Sequence, residues 1–241
     1  MGLLSPFIQF KLFRFLFYSL FTLFIYQSLE VASSLLTLYT YQKLNPGVTA
    51  FMEKDYHSCD FFKPCILKNE WVDLKNISIH LQEAVLVSED DRFFDHEGID
   101  TEAIEKSIEL NLKKKKYVRG GSTLSQQIIK NLFLSSEKHL SRKVKEIILT
   151  LLMEKILDKE RILEIYLNKI EWGPHIYGAE AASQYYFKKN ASELSASEAA
   201  YLAAMIPNPK FLTSEKQAGH LKRRQMIILK RMSRRSFEEL E

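Results

Sequence analysis

Hydrophobic residues follow two different patterns along this chain. Near the N-terminus they are almost continuous, because Ser19 and Thr22 alone interrupt the apolar and aromatic run from Phe15 to Tyr26. With its flanks, the apolar stretch spans residues 8–29, about 20 residues, which as a helix is enough to cross about 30 Å of hydrocarbon. The pattern therefore predicts a single membrane-spanning helix at the N-terminus.

The charges around this run predict its orientation. Lys11 and Arg14 are the only charged residues before Glu30. Basic residues favour the cytoplasmic side, so we expect the N-terminus in the cytoplasm and everything after Glu30 outside it. Two alternatives stay open: a signal peptide, although Ala32-Ser-Ser-Leu is a poor cleavage site, and a helix lying in the membrane interface.

Beyond Pro46-Gly47 the apolar residues recur every three or four positions, which is typical of helices. Trp172-Gly-Pro174 predicts a turn, and no segment alternates long enough to predict a sheet. We therefore expect an anchor unit, residues 1–40, followed by an all-α domain, residues 41–241. The predicted helices run from Ile77 to Glu89, over 102–112, from Thr123 to Phe133, from Arg142 to Leu157, from Arg161 to Ile170, and from Ser195 to Pro207-Asn-Pro209.

Composition narrows the class of protein. The 241 residues are 46% hydrophobic and 27% charged, which is ordinary for a globular chain and excludes disorder. The net charge of +4 favours an anionic partner. Cys59 and Cys65 lie in the exported part, where a disulfide or two free thiols are both open. With His57 they fit no standard zinc spacing, so we reject a zinc site.

Two carboxylates stand out as candidates for chemistry. The helix from Arg142 is apolar on two faces, so Glu146 should be buried, paired with Arg142 one turn earlier. Glu89 begins the acidic cluster Glu89-Asp90-Asp91, and neighbouring negative charges favour a general base. A structural ion pair at Glu146 and a solvated turn at Glu89 are the alternatives.

A third candidate is an anion site. Gly120-Gly121 precede the capping box Thr123-Leu-Ser-Gln126, so free N–H groups there could cradle a phosphate. Gln126 and Lys130 lie four residues apart on the following helix and can face one ligand. Basic runs at residues 113–116 and 222–235 could bind lipid headgroups or a lipid diphosphate, although most of these basic side chains are expected to be solvated.

Five ordered motifs together resemble the peptidoglycan glycosyltransferases of glycosyltransferase family 51, in the monofunctional form. The motifs are Glu89-Asp-Asp-Arg-Phe-Phe-Asp-His-Glu-Gly-Ile-Asp100, Arg119-Gly-Gly-Ser-Thr-Leu-Ser-Gln-Gln-Ile-Ile-Lys-Asn131, Arg142-Lys-Val-Lys-Glu146, Arg161-Ile-Leu-Glu-Ile-Tyr-Leu-Asn168 with Glu171-Trp-Gly173, and Glu198-Ala-Ala-Tyr-Leu-Ala-Ala-Met-Ile-Pro-Asn-Pro209.

The resemblance implies a lysozyme-like, two-lobed domain at the bacterial inner membrane. Its implied activity is polymerisation of lipid II into β-1,4 glycan strands, with inversion and release of undecaprenyl pyrophosphate. Glu89 would be the general base, and Glu146 would orient a basic cluster or the diphosphate. The implied substrate-binding residues are His96, Ser122, Gln126, Gln127, Lys130, Lys138 and Arg142.

One position departs from the family, since Lys138 stands where an arginine is frequent. The charge survives, but the planar fork for bidentate phosphate contact does not. We expect that the activity requires no cofactor. A divalent cation, Mg²⁺ or Mn²⁺, is expected only as an optional ligand beside the diphosphate. The expected partners are lipid II, the growing strand, the bilayer and other cell-wall synthases.

Two other functions compete with this one. A lysozyme-like hydrolase or lytic transglycosylase would share the helical fold and the glutamate, but would need no diphosphate site. A binding protein that uses the basic runs on nucleic acid would leave Glu89 and Gly120-Gly121 unexplained, so we expect no nucleic-acid partner.

Overall fold

The computed structural model describes residues 6–59, 65–116, 120–134, 140–209 and 215–238, and these ranges are mainly helical, as expected. The elements in these ranges are α1 (Pro6–Thr40), α2 (Ala50–His57), β1 (Lys68–Asn69), α3 (Ile79–Glu89), α4 (Thr101–Lys114), α5 (Leu124–Phe133), α6 (Leu140–Ile156), α7 (Lys159–Lys169), β2 (Glu171–Gly173), β3 (Ile176–Tyr177), α8 (Ala179–Phe187), α9 (Ala196–Met205) and α10 (Glu215–Glu238). Short 3₁₀ helices cover Leu74–Asn76 and Ala191–Glu193.

A small three-stranded sheet accompanies the helices, and the domain is mainly α, as expected. β3 lies between β1, to which it is parallel, and β2, to which it is antiparallel. The strands are two or three residues long, too short to produce an alternating pattern in the sequence. Trp172 and Gly173 lie in β2, so the predicted turn falls on Pro174 and His175 instead.

Several helix ends follow from capping side chains. Thr123 and Ser195 form the two predicted capping boxes, at the starts of α5 and α9. The helix predicted from Ile77 begins at Ile79, because the Ser78 hydroxyl accepts a hydrogen bond from the His80 N–H and caps it. Gly98, with φ +87°, makes the predicted turn before α4.

The N-terminal helix is longer than the predicted span. Its segment Phe10–Thr40 is long and apolar enough to cross a membrane, with a mean hydropathy of 1.4. The end of α1, however, packs against α6: Leu38 is fully buried and Glu30 accepts a 2.5 Å ion pair from Lys145. The last turns of the predicted anchor unit thus contact the domain, and the division at residue 40 stays a prediction.

Helix α6 buries one of its two apolar faces. Leu149 and Met153 are fully buried beside Glu146, as predicted. The second stripe, expected to be buried as well, is exposed at Val144, Ile148 and Leu151. Among the described residues, neighbouring elements cover one side of α6, and the sequence pattern cannot show how many sides are covered.

Candidate active site

Glu89, at the last residue of α3, is held by three side chains. Its Oε1 accepts hydrogen bonds from Ser88 Oγ at 3.1 Å and from Arg224 Nη2 at 2.8 Å. Its Oε2 accepts one from Gln127 Nε2 at 3.1 Å. The side chain is 12% exposed, so the carboxylate is ordered but still open to a ligand.

Gln127 is in turn oriented by Tyr166 from α7. The Tyr166 hydroxyl donates to Gln127 Oε1 at 3.1 Å, which directs the amide Nε2 of Gln127 towards Glu89. Burial, with the negative charges of Glu89 and Asp90 adding to it, raises the pKa of Tyr166 well above its ordinary value. The hydroxyl therefore keeps its proton and acts as a permanent donor.

Glu146 is buried at the centre of a basic cluster, as predicted. It accepts ion-paired hydrogen bonds from Arg142 Nη1 at 2.6 Å and from Lys143 Nζ at 2.5 Å. The Lys143 ammonium also lies 3.5 Å from Ser122 Oγ, on the loop before α5. The carboxylate therefore gathers two cations beside that loop.

Lys130 extends this basic cluster from the adjacent helix. Burial is the main cause that lowers its pKa, the charge of Glu146 opposes the shift, and Arg142 and Lys143 add to it. Its ammonium lies 5.6 Å from the centre of the Phe51 ring. A partly desolvated cation in this position binds an anion more strongly than a solvated one does.

Helix α5 connects the two glutamates. Gln127 contacts Glu89, and Lys130, three residues further along, faces the cluster around Glu146. Residues three apart lie on one face of a helix. One face of α5 thus contacts the candidate base through Gln127 and, about one turn later, carries Lys130 beside the basic cluster.

His96 is buried and engaged within the protein. Its Nδ1 accepts from the Gly98 N–H at 3.1 Å, so its Nε2 must donate to the Asp90 carboxylate, at 3.0 Å. Asp90 also accepts from the Leu124 N–H, at the start of α5. The predicted substrate contact of His96 is thus untested, and in this structure the ring links the loop after α3 to α5.

The predicted phosphate cradle at Gly120-Gly121 stays a prediction, and three N–H groups just after it are already bonded within the protein. The N–H groups of Thr123, Leu124 and Gln126 are bonded to Gln126 Oε1, Asp90 Oδ2 and Thr123 Oγ1. Gln126 is buried as part of the capping box, so its predicted ligand contact stays a prediction. Close packing also requires glycine at position 121, since a Cβ there would lie 2.9 Å from Ile104 Cα.

A cavity opens beside Glu89, between the end of α3, the start of α4 and the loop before α5. Five carboxylates and three basic side chains line it, so its charge is opposite to that of the cluster around Glu146. The charged lining residues are Glu89, Asp90, Asp91, Asp100, Glu102, Arg92, Lys106 and Arg231. Carboxylates that accept hydrogen bonds suit a neutral ligand rich in hydroxyl groups.

Two open points concern the cysteines and a metal. Cys59 and Cys65 are joined in a disulfide, with Cα atoms 5.9 Å apart. Their sulfurs and the His175 ring lie within 4.8 Å of one another, but bonded sulfurs are not thiolate ligands. Each oxygen of Glu146 accepts from one cation, so a divalent ion there would share the carboxylate with Arg142 and Lys143.

Sequence reasoning found some site residues and missed others. Lys143 has no predicted role in the sequence analysis, although its spacing of three residues from Glu146 is a usable signal. Arg224 was missed because no local pattern links it to Glu89, 135 residues away. Lys138 lies outside the described residues, so its predicted contact stays a prediction.

Comparison with known proteins gives one consistent result. The family model described as Transglycosylase matches residues 64–233. A biosynthetic peptidoglycan transglycosylase of Chromobacterium violaceum is 50% identical over 190 residues, which cover 78% of this chain and 83% of the relative. Proteins of the same name from Herminiimonas arsenicoxydans and Nitrosomonas eutropha are 47% and 45% identical, and each match covers 82% of the relative.

Proposed function

The chain belongs to the transglycosylase family and is a peptidoglycan glycosyltransferase of cell-wall biosynthesis, with the mainly helical, lysozyme-like domain of that family; we propose that it polymerises lipid II, with Glu89 as the base. The observation that carries the proposal is the arrangement of charged groups in the site. A candidate base and a basic cluster both adjoin one face of α5, at positions about one helical turn apart.

Glu89 would take the proton from the 4-hydroxyl of the acceptor GlcNAc. The deprotonated oxygen attacks C1 of the donor MurNAc on the face opposite the diphosphate, so an α-linked donor gives a β-1,4 bond. Of the two carboxylate oxygens, Oε2 accepts one described hydrogen bond and Oε1 accepts two. Oε2 therefore has more acceptor capacity left for the hydroxyl.

The basic cluster would stabilise the departing diphosphate. Among the described residues, Lys130, Arg142 and Lys143 place three positive charges around one buried carboxylate, an arrangement that favours an anion. Charges that are positioned before the reaction stabilise a leaving group without reorganising during it. Glu146 holds two of these cations in place and has no proton-transfer step of its own.

The acidic cavity beside Glu89 would hold sugar rather than phosphate. Its excess of carboxylates repels a diphosphate, while sugar hydroxyls can donate to them. Ser122 lines this cavity and also contacts Lys143. The cavity is therefore connected to the basic cluster, as a substrate with adjacent sugar and diphosphate groups requires.

The packing of α1 fits a lipid-linked substrate. α6 carries Glu146, Arg142 and Lys143, and it packs against the end of the helix that is proposed to cross the membrane. The diphosphate of a lipid carrier lies at the membrane surface. We propose a single-pass protein in the bacterial inner membrane, with the N-terminus in the cytoplasm and the domain outside.

The remaining expectations stay proposals with direct tests. We propose that polymerisation requires no cofactor and that a divalent ion is optional at the diphosphate. Activity should therefore survive EDTA, and recovery of lost activity by added Mg²⁺ or Mn²⁺ would show dependence. Other cell-wall synthases are proposed as protein partners, and co-purification from membranes under cross-linking tests this.

One experiment distinguishes synthesis from lysis. The full-length protein in detergent is incubated with purified lipid II and, separately, with preformed glycan strands. We expect lipid II to be converted to β-1,4 strands with release of undecaprenyl pyrophosphate, while preformed strands stay intact. Cleavage of preformed strands without consumption of lipid II would instead indicate a lytic enzyme.

A further inference from the structure

The C-terminal helix α10 reaches the candidate base from a distant part of the chain. Arg224 Nη2 donates to Glu89 Oε1 at 2.8 Å and to Ser88 Oγ at 2.9 Å. Two helical turns later, Arg231 Nη2 donates to Asp91 Oδ2 at 2.9 Å. Arg235 Nη1 also lies 3.9 Å from Asp91 Oδ1. α10 packs against α3 and α9, so arginines on one face of α10 hold the acidic residues at and just after the end of α3.

Arg224 supplies the one charged hydrogen bond that the described residues give to Glu89. The other two donors, Ser88 and Gln127, are neutral. Charge-assisted hydrogen bonds are shorter and stronger than neutral ones, and the distances to Glu89 agree with this. Without Arg224, the carboxylate would keep one weak contact on each oxygen.

The hydrogen bonds of Arg224 place its guanidinium against the end of α3. Its Nη2 contacts both Ser88 Oγ and Glu89 Oε1. The two acceptors belong to adjacent residues, so the guanidinium is held at two points beside the Glu89 carboxylate.

We propose that Arg224 is a positioning residue for the glycosyl transfer, and that it acts through Glu89. By holding Oε1, it fixes the rotation of the carboxylate and leaves Oε2 facing the acceptor hydroxyl. The inference rests on the proposed role of Glu89 as the base. It adds α10, whose arginine lies outside the five sequence motifs, to the parts of the chain that the reaction requires.

The first test compares two alanine variants of neighbouring arginines in the full-length protein. Arg224→Ala should lower kcat by about 10- to 100-fold, the range that misplacement of a reacting group produces, with KM for lipid II within about twofold. Arg224→Lys keeps a cation and should recover part of the loss. The control is Arg223→Ala, which removes the same charge from an exposed side chain and should keep kcat within about twofold.

Melting temperature, measured for all three variants, separates positioning from folding. Arg224→Ala should melt close to the unmodified protein, because the side chain is 40% exposed. A loss of kcat that merely followed a large drop in melting temperature, and that Arg224→Lys did not reduce, would overturn the proposal. An increase in KM with normal kcat would also overturn it, since Arg224 would then bind substrate directly.

The second test asks whether the arginine acts through Glu89. Combined with Glu89→Gln, Arg224→Ala should cause little further loss, because the group that it positions is already gone. An equal loss in both backgrounds would overturn the inference. If Glu89→Gln itself keeps full activity, the base assignment fails, whereas normal activity of Arg224→Ala beside an inactive Glu89→Gln contradicts the positioning role alone.

Discussion

Replacing Glu146 with glutamine should weaken substrate binding and destabilise the fold together. The side chain is 4% exposed and accepts from Arg142 at 2.6 Å and from Lys143 at 2.5 Å. Glutamine keeps the size of the side chain but removes its negative charge. Lys130, Arg142 and Lys143 then repel one another without the carboxylate that gathers them.

The contacts set the size of the effect. Loss of one partner of a buried ion pair costs about 3–5 kcal/mol. The Lys143 side chain is 38% exposed, so water screens its contact, and the glutamine carbonyl still accepts one hydrogen bond. We therefore expect about 2–3 kcal/mol less free energy of unfolding, which lowers the melting temperature of a domain of this size by about 4–12 °C.

The assay measures melting temperature and lipid II affinity on the same detergent-solubilised protein. Displaced cations should weaken binding of the donor by about tenfold, which corresponds to roughly 1.4 kcal/mol. The matched control is Glu198→Gln on α9, which removes a carboxylate paired with Lys189 at 2.8 Å that has no described contact with the basic cluster, and it should leave affinity unchanged. If Glu146→Gln melts and binds like the unmodified protein, the carboxylate does not organise the basic cluster.

Three further predictions test the leaving-group site, the topology and a buried lysine. Lys130→Ala should lose far more activity in the lipid II assay than Lys115→Ala, because Lys115 is exposed at the end of α4. Equal, small losses would mean that both lysines act only through the overall electrostatic field of the protein. A reporter fused after Glu241 should be active outside the cytoplasm and stay with membranes after a high-salt wash, whereas a shortened, soluble product would indicate a signal peptide. Burial lowers the pKa of Lys169 from 10.5 to about 8, so between these pH values the unfolded chain binds a proton that the folded chain has released, and stability rises with pH. Lys169→Met should remove this rise, which is about 3 kcal/mol at most, in urea unfolding at several pH values; the same pH dependence in both proteins would contradict it.

Local chemistry made part of the fold predictable from sequence. The capping boxes at Thr123 and Ser195 depend on residues three positions apart, so the starts of α5 and α9 could be predicted to the residue. The burial of Glu146 with Arg142 followed from helical spacing in the same way. Short-range geometry is encoded within a single helical turn, and a single sequence is enough to show it.

Contacts between distant segments could not be predicted in this way. Arg224 reaches Glu89 across 135 positions, and nothing in the sequence near either residue indicates the other. The β2–β3 hairpin depends on its pairing with β1, about 100 residues earlier, rather than on its own alternation. The prediction that both apolar faces of α6 are buried was wrong for a related reason, since tertiary packing decides which apolar face is covered.

The central claim is that Glu89 is the base and that Glu146 organises the cations at the leaving group. The most direct measurement compares turnover and lipid II affinity for Glu89→Gln and Glu146→Gln, with melting temperature as a control for folding. We expect Glu89→Gln to bind lipid II normally and to lose about 10²–10⁴-fold in turnover, the usual contribution of general-base catalysis, while Glu146→Gln loses affinity as well. Near-normal turnover of Glu89→Gln, beside an inactive Glu146→Gln with unchanged affinity, would show that the two roles are reversed.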